Sequence, residues 1–466
     1  MLDQALATID ARKQASLALL TEFLRIPSVS TKPEHAGDLK RCADWLAGQF
    51  RDAGLSADVH PTPGHPVVVA KNVHKPGRPT VLLYGHYDVQ PPEPLELWTT
   101  PAFEPTERND ETGHPAIYAR GSADDKGQVW CHVEAVRALM ATGGGDLPVN
   151  LTALIEGEEE IGSDHLDQFV AANADLLRAD VAIISDTSQF DRGLPAITYG
   201  LRGLCYMEVF LTGPSHDLHS GMYGGSVPNP ANVLCEFIAS LHDKDGRVNL
   251  PGFYDRVVPL TAAERAEWQK LPFDEAAFAA SLNIPHGNGE PGYSTVERQW
   301  ARPTLDVNGI TTGYQGHGAK TVIPAKASAK ISMRLVPDQD PAEVQRLFEQ
   351  AVRDRLPKNV TVEFKQHGLA GPVLTPADSP AVRLAREALA AGFGTTATTL
   401  VRGGGSIPVV ALLKRVLGID TLLVGFGLPD DRVHSPNEKF DLDALHKGTR
   451  TAAALYATLA GLHATK

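Results

Sequence analysis

The sequence predicts an α/β fold: a layered α/β domain on a largely parallel sheet, interrupted by a smaller inserted α+β domain. Three observations carry this. Short apolar runs at residues 66–73, 80–84, 149–155 and 181–185 alternate with helix-like stretches, the pattern of parallel strands joined by helical crossovers. Near residue 199 the texture shifts to half-exposed alternation, and after about residue 380 the α/β texture returns. The simplest account is a domain of residues 1–198 and 380–466 holding an insertion of residues 199–379.

In chain order, residues 3–24 and 38–54 space Leu, Ala and Phe at helical intervals, with a break at Ile26-Pro27-Ser28. Residues 126–140 predict a helix between two of the strands. In the insertion, 204–211 and 327–335 read as strands and 232–242 as a helix. Residues 284–318 are rich in Gly, Pro, Asn and Gln and predict long ordered loops. The last part offers a helix at 381–391, a strand at 421–424 and a closing helix at 442–462. Gly403-Gly404-Gly405 marks a close backbone approach.

Composition narrows the function. The 466 residues carry 43 Lys+Arg against 56 Asp+Glu, a formal charge of −13. That surplus argues against a nucleic-acid binder, which shows a basic stripe, and against a polybasic membrane-surface protein. The four cysteines, Cys42, Cys131, Cys205 and Cys235, form no CxxC pair, so neither a thiolate zinc site nor a disulfide framework is expected. The first residues lack the basic and apolar regions of a signal peptide, and no run approaches a membrane span. A soluble cytoplasmic protein with a small-molecule or peptide partner is expected.

Five clusters could carry chemistry. Tyr84-Gly85-His86-Tyr87-Asp88 places an imidazole and a carboxylate on one face if the strand extends this far, near the carboxyl edge where open α/β sheets bind ligands. A carboxylate beside a histidine can orient it toward a metal, and it also makes an ordinary surface pair. Asp124-Asp125-Lys126-Gly127 precedes a helix, where an Asp serves equally as an N-cap or as a bridge between cations. Glu156-Gly157-Glu158-Glu159-Glu160 is a solvated acidic turn or a ligand beside a general base. Asp186 ends an apolar strand, and His434 lies in Asp431-Arg432-Val433-His434-Ser435-Pro436-Asn437-Glu438. Together these nitrogen and oxygen donors suit zinc, manganese or cobalt and exceed what one tetrahedral ion needs.

These residues resemble the family of co-catalytic dinuclear zinc peptidases and deacylases, closest to its cytosolic nonspecific dipeptidase and carnosine dipeptidase branch. Nine segments match in order: GHYDVQP, ARGSADDKG, EGEEEIGS, ISD, DLHSGMYGG, GAKTVIPAKASAK, MRLVP, GGSIPV and HSPNEKF. The resemblance implies an α/β/α catalytic domain with an inserted lid and dimerisation domain. It implies two zinc ions, with manganese or cobalt as alternatives: His86, Asp124 and Asp186 on one, and Asp124, Glu160 and His434 on the other. Asp124 would bridge, with a cis peptide after it. Asp88 would support His86, and Glu159 would be the general base that takes a proton from the metal-activated water.

The resemblance also assigns substrate contacts. Arg334 would hold a C-terminal carboxylate, for which a guanidinium offers bidentate bonding. His219 would reach the active site of the other subunit of a homodimer and polarise the scissile carbonyl. Thr321, Gly405 and Ser406 would complete the pocket. The implied activity is hydrolysis of dipeptides or short peptides with a free C-terminus. One departure stands out: dipeptidases of this branch commonly carry an acid where Gly403 stands, two positions before the last Gly of the GGS motif. Its absence leaves room for the alternative, an N-acyl-amino-acid amidohydrolase of the deacetylase or desuccinylase type.

Overall fold

Every residue of the Asn150–Glu156 strand is buried, and the Thr80–His86 strand is buried from its second residue onward, which places both inside a sheet covered on its two faces. The computed structural model describes residues 1–405 and 407–462. The chain divides into two compact units, one of residues 1–199, 375–401 and 412 onward, the other of residues 200–374 and 402–411.

In the first unit the strands lie in the order Ser56–His60, Val67–Lys71, Asn150–Glu156, Thr80–His86, Val181–Ile184, Thr421–Leu423, Ala196–Leu201. The three central pairings are parallel, as the alternation of strands and helices predicts. The flanking pairs are antiparallel, so the sheet is mixed. Parallel order puts the carboxyl ends of the Thr80–His86, Asn150–Glu156 and Val181–Ile184 strands on one edge. That edge carries the site.

Helices Leu2–Leu24, Lys126–Thr142, Pro380–Phe393 and Leu442–Leu459 pack on one another against the sheet. The Lys126–Thr142 helix is buried nearly all round. Trp130 sits within 5.7 Å of the Trp45 ring and donates its Nε1 hydrogen to the Ser16 carbonyl at 3.1 Å. Burial of one such side chain stabilises by roughly 1.5–3 kcal/mol. Gly127 is required here, because a Cβ would lie 1.9 Å from the Ser122 carbonyl oxygen. Ser379 and Pro380 start the Pro380–Phe393 helix, with Ser379 Oγ accepting from the Val382 amide, and Gly394 at φ 67° ends it. A small antiparallel sheet of Thr106–Asn109, Pro115–Tyr118 and Lys439–Asp441 ties the end of the chain to its first third.

The second unit holds a four-stranded antiparallel sheet in the order Thr304–Thr312, Lys326–Leu335, Gly203–Thr212, Thr361–Ala370. Helices Pro230–Ala239 and Pro341–Arg355 cover it, burying Met207, Val209, Ile331, Met333 and Phe348. The long loops expected over 284–318 are instead partly ordered as the Thr295–Ala301 helix and the Thr304–Thr312 strand. A seven-residue helix is too short to show its period, although Ser294 and Glu297 form a capping box at its start. The strand hides its alternation behind a bulge between Val307 and Gly309. Among the described residues no helix is long and apolar enough to cross a membrane.

Candidate metal centre

The site grows from the ends of three central strands. His86 is the last residue of its strand and is fully buried. Asp88 lies just beyond the strand, so strand pleating does not align the two. The His86 Nδ1 instead meets the Asp88 backbone carbonyl at 3.0 Å and its carboxylate at 3.4 Å. The Asp88 carboxylate is occupied elsewhere: it accepts the backbone N–H of Glu159 at 3.2 Å and of Glu160 at 3.1 Å. Asp88 thereby fixes the ring of His86 and the turn carrying both glutamates.

The acidic cluster after the Asn150–Glu156 strand is not a uniform solvated turn. Glu156 bonds Tyr84 and Ser163, and Glu158 folds back to the His65 amide at 3.1 Å and the His165 ring at 2.9 Å. Glu159 and Glu160 remain for the site. Gln90, absent from the sequence-based set, donates to Glu160 Oε2 at 2.8 Å.

Asp125 occupies the N-cap position of the Lys126–Thr142 helix yet makes no side-chain cap. Its Oδ2 accepts from the His86 amide at 3.2 Å, which Gly85 permits, since a Cβ there would stand 2.8 Å from that oxygen. Its Oδ1 is buried without a hydrogen-bond partner. The Asp124–Asp125 peptide is cis. Asp124 turns the other way, with Oδ1 at 3.1 Å from His86 Nε2 and Oδ2 at 2.8 Å from His434 Nε2. His434 Nε2 is also 3.3 Å from Glu160 Oε2.

Two groups of ligand atoms result. His86, Asp124 and Asp186 form one, and Asp124, Glu160 and His434 the other, the atoms of each lying within 4.8 Å of one another. The donor chemistry fits divalent cations. His86 Nε2 is buried and close to a carboxylate but makes no hydrogen bond with it, the disposition of two donors aimed at a shared third party. Charge points the same way. Burial, reinforced by Asp124 and Asp125, pushes the Asp186 carboxyl well above the carboxylate range. Burial also raises Glu159 to about 7, with His86 opposing and Glu160, Asp124 and Asp88 adding to the rise. The carboxylates of Asp124 and Glu160 lift His434 to about 10. Burial would raise Asp124, but His434 and His86 outweigh it and hold that carboxyl well below its usual range. Bound cations would favour the charged forms of the crowded carboxylates whose burial now disfavours them.

The remaining sequence-derived residues lie in the second unit. The short strand Leu218–His219 pairs with Val322–Ile323, and the Ser220 amide donates to the Thr321 carbonyl at 3.1 Å, so His219 and Thr321 are neighbours. His219 is exposed and accepts from the Gly221 amide at 3.0 Å. Arg334 stands on the four-stranded sheet opposite Leu204 and Thr304. Gly405 follows the Thr399–Gly403 strand, and Ser406 lies outside the described residues. Arg202, which the sequence did not single out, donates its Nε hydrogen to the Gly404 carbonyl at 2.9 Å. Burial and the charge of Arg334 lower its guanidinium to about 10.

Imidazoles and carboxylates gathered at the carboxyl edge of a mixed α/β sheet define a candidate site for divalent cations. The comparisons make this specific: residues 82–458 match the model of peptidase family M20/M25/M40, and the chain belongs to that family. It is a metallopeptidase, a hydrolase acting on peptide bonds. It is 33% identical over 465 residues to the Cys-Gly metallodipeptidase dug1 of Schizosaccharomyces pombe, covering 96% of each chain. It is 31% identical to the human Beta-Ala-His dipeptidase, covering 99% of this chain and 94% of that one. Among solved structures it resembles an M20 family metallo-carboxypeptidase of Sulfolobus solfataricus, with a TM-score of 0.84, 34% identity and coverage of 96% and 99%. It also resembles the dipeptidase Dug1p of Saccharomyces cerevisiae, with a TM-score of 0.82, 29% identity and coverage of 99% and 98%.

Proposed function

We propose that the chain hydrolyses dipeptides or short peptides with a free C-terminal carboxylate, using two divalent ions. The observation that carries this reading is the pair of ligand groups that share Asp124, with Glu159 beside them and outside both. His86, Asp124 and Asp186 would hold one ion, and Asp124, Glu160 and His434 the other; zinc suits these donors, with manganese or cobalt as substitutes. When bound, the metal pair supplies Lewis-acid activation of water and of the scissile carbonyl. Glu159, outside both ligand groups, takes the proton of the attacking water and delivers it to the leaving amine. Asp88 holds the Glu159 and Glu160 amides in register for these separate roles.

Arg334 would bind the substrate's C-terminal carboxylate, with Thr321, Gly405 and Ser406 lining the pocket. His219 of a second copy would polarise the carbonyl in a homodimer, and residues 199–379 would form the lid and dimerisation domain. The similarity to named dipeptidases supports this substrate class. The described cysteines are free thiols, in keeping with a cytoplasmic setting.

Glu159→Gln should lower kcat by about 10²–10⁴-fold with metal content unchanged; near-wild-type turnover would remove Glu159 from its role. Assays of zinc-loaded protein on dipeptides against N-acetyl and N-succinyl amino acids test the substrate class. Gly403, standing where an acid would suit a free α-amine, leaves room for the acyl-amino-acid alternative, and activity confined to acylated compounds would establish it. Mixing His219→Ala with Glu159→Gln subunits should restore activity in heterodimers; none in confirmed heterodimers would refute action in trans.

A further inference from the structure

Glu438 is four residues beyond His434, immediately before the Lys439–Asp441 strand, and its side chain is fully buried. Its carboxylate is surrounded by donors from one loop. Oε2 accepts from Arg120 Nη1 at 2.6 Å and from the Gly121 amide at 3.0 Å. Oε1 accepts from the Ala123 amide at 2.9 Å and the Asp124 amide at 3.1 Å. The Glu438 carbonyl receives the Ala119 amide at 3.2 Å. Residues 119–124 thus wrap the carboxylate as a backbone nest wraps an anion, with Gly121 at φ 82° supplying the turn. Arg120 is itself buried and secured to the Pro91 carbonyl at 3.3 Å.

We propose that Glu438 is a positioning residue for the metal centre: it clamps the loop carrying Asp124 to the loop carrying His434, segments more than 300 residues apart in sequence. No other carboxylate among the hydrogen bonds of the described residues receives both the Asp124 amide and its neighbour. The clamp sets the Oδ2 of Asp124 at 2.8 Å from His434 Nε2. Outer partners of this kind orient ligands and tune affinity without touching the ion. The inference rests on the reading of Asp124 and His434 as ligands.

The test compares the wild type with Glu438→Gln and Glu438→Asp, each loaded with Co(II) in place of the native metal. In either amide orientation Gln turns an NH₂ toward backbone donors, whereas Asp keeps the charge and retracts it by about 1.5 Å. In protein shown folded by circular dichroism, Glu438→Gln should weaken the second cobalt equivalent by about 10–100-fold and alter its visible absorption. It should lower kcat by a similar factor with KM nearly unchanged, and Glu438→Asp should recover part of each loss. If Glu438→Gln does not fold, Glu438→Asp carries the test with the same readouts. Wild-type cobalt affinity, absorption and kcat in the folded variants would overturn the positioning role alone. A wild type that binds fewer than two equivalents would overturn the reading of the site, and the clamp with it.

Discussion

The two groups of candidate ligands have the same composition, one imidazole and two carboxylates with Asp124 in common, but opposite settings. His86 has no exposed surface and ends a strand at the middle of the sheet, whereas the His434 side chain is 54% exposed on a loop at φ 61°. The inner half is shaped by the hydrogen-bonded ladder of the sheet. The outer half is shaped by local loop geometry and by the Glu438 carboxylate. On the proposed reading, with donor chemistry held constant, differences between the two ions should come from burial and backbone support.

Asp124→Asn should have the largest effect, because it weakens both halves at once: metal content should fall by both equivalents and kcat by at least about 10²–10⁴-fold. Retention of one tightly held equivalent would show that Asp124 belongs to one half only. The next largest contrast is between the histidines. In metal-free protein, His86→Ala strips the cationic partner from buried acids and should destabilise by roughly 3–5 kcal/mol in urea unfolding. His434→Ala should cost under about 1 kcal/mol, because solvent screens a half-exposed pair. Equal losses would erase the inner–outer distinction. With metal present, His434→Ala should keep one equivalent through dialysis against chelator.

The smallest contrast, between two pH values, concerns the support of the outer loop. Burial would raise Asp110, but the Thr112 hydroxyl, the His114 and Thr112 amides and Lys439 hold its carboxyl at about 2. Because the folded carboxyl titrates below the ordinary 3.8, its contribution is full above that value and is lost as pH falls through about 2. Asp110→Asn should therefore cost about 1 kcal/mol at pH 7 after allowance for solvent screening, and close to nothing at pH 2. A gap that stays constant between these pH values would mean the lost hydrogen bonds, not the charge, are responsible.

The inner half of this contrast was more legible in the sequence than the outer. Continuous apolar runs ending in His86, Glu156 and Asp186 announce buried parallel strands and acids at their carboxyl edge, and the fold class follows from them. Periodicity says nothing of which oxygen a carboxylate offers. It suggested a His86–Asp88 pair on one strand face, but the strand stops at His86 and Asp88 turns its carboxylate to the glutamate amides. The N-cap reading of the Asp124-Asp125 pair met a similar limit, since Asp125 stands at the cap position but turns its side chain to the His86 amide. Gln90 and Glu438 lay inside quoted motifs, GHYDVQP and HSPNEKF, yet their partners are distant in sequence and cannot be inferred from spacing. The Thr295–Ala301 helix was hidden by its shortness and by the Gly- and Pro-rich stretch before it.

The strand Lys439–Asp441 and the helix Leu442–Leu459 leave the ribosome after every strand of the central sheet. Until they do, the loop at Asp124 lacks the Glu438 carboxylate and the outer half lacks its imidazole. On the proposed reading, a nascent chain that has emerged as far as residue 430 carries the strands of its sheet, its inner donors and its general base, but cannot yet cleave peptides. The same arrangement makes the tail a point of control in degradation. A single cut before residue 434 would sever His434 and Glu438 from the rest of the site, together with the buried helix Leu442–Leu459.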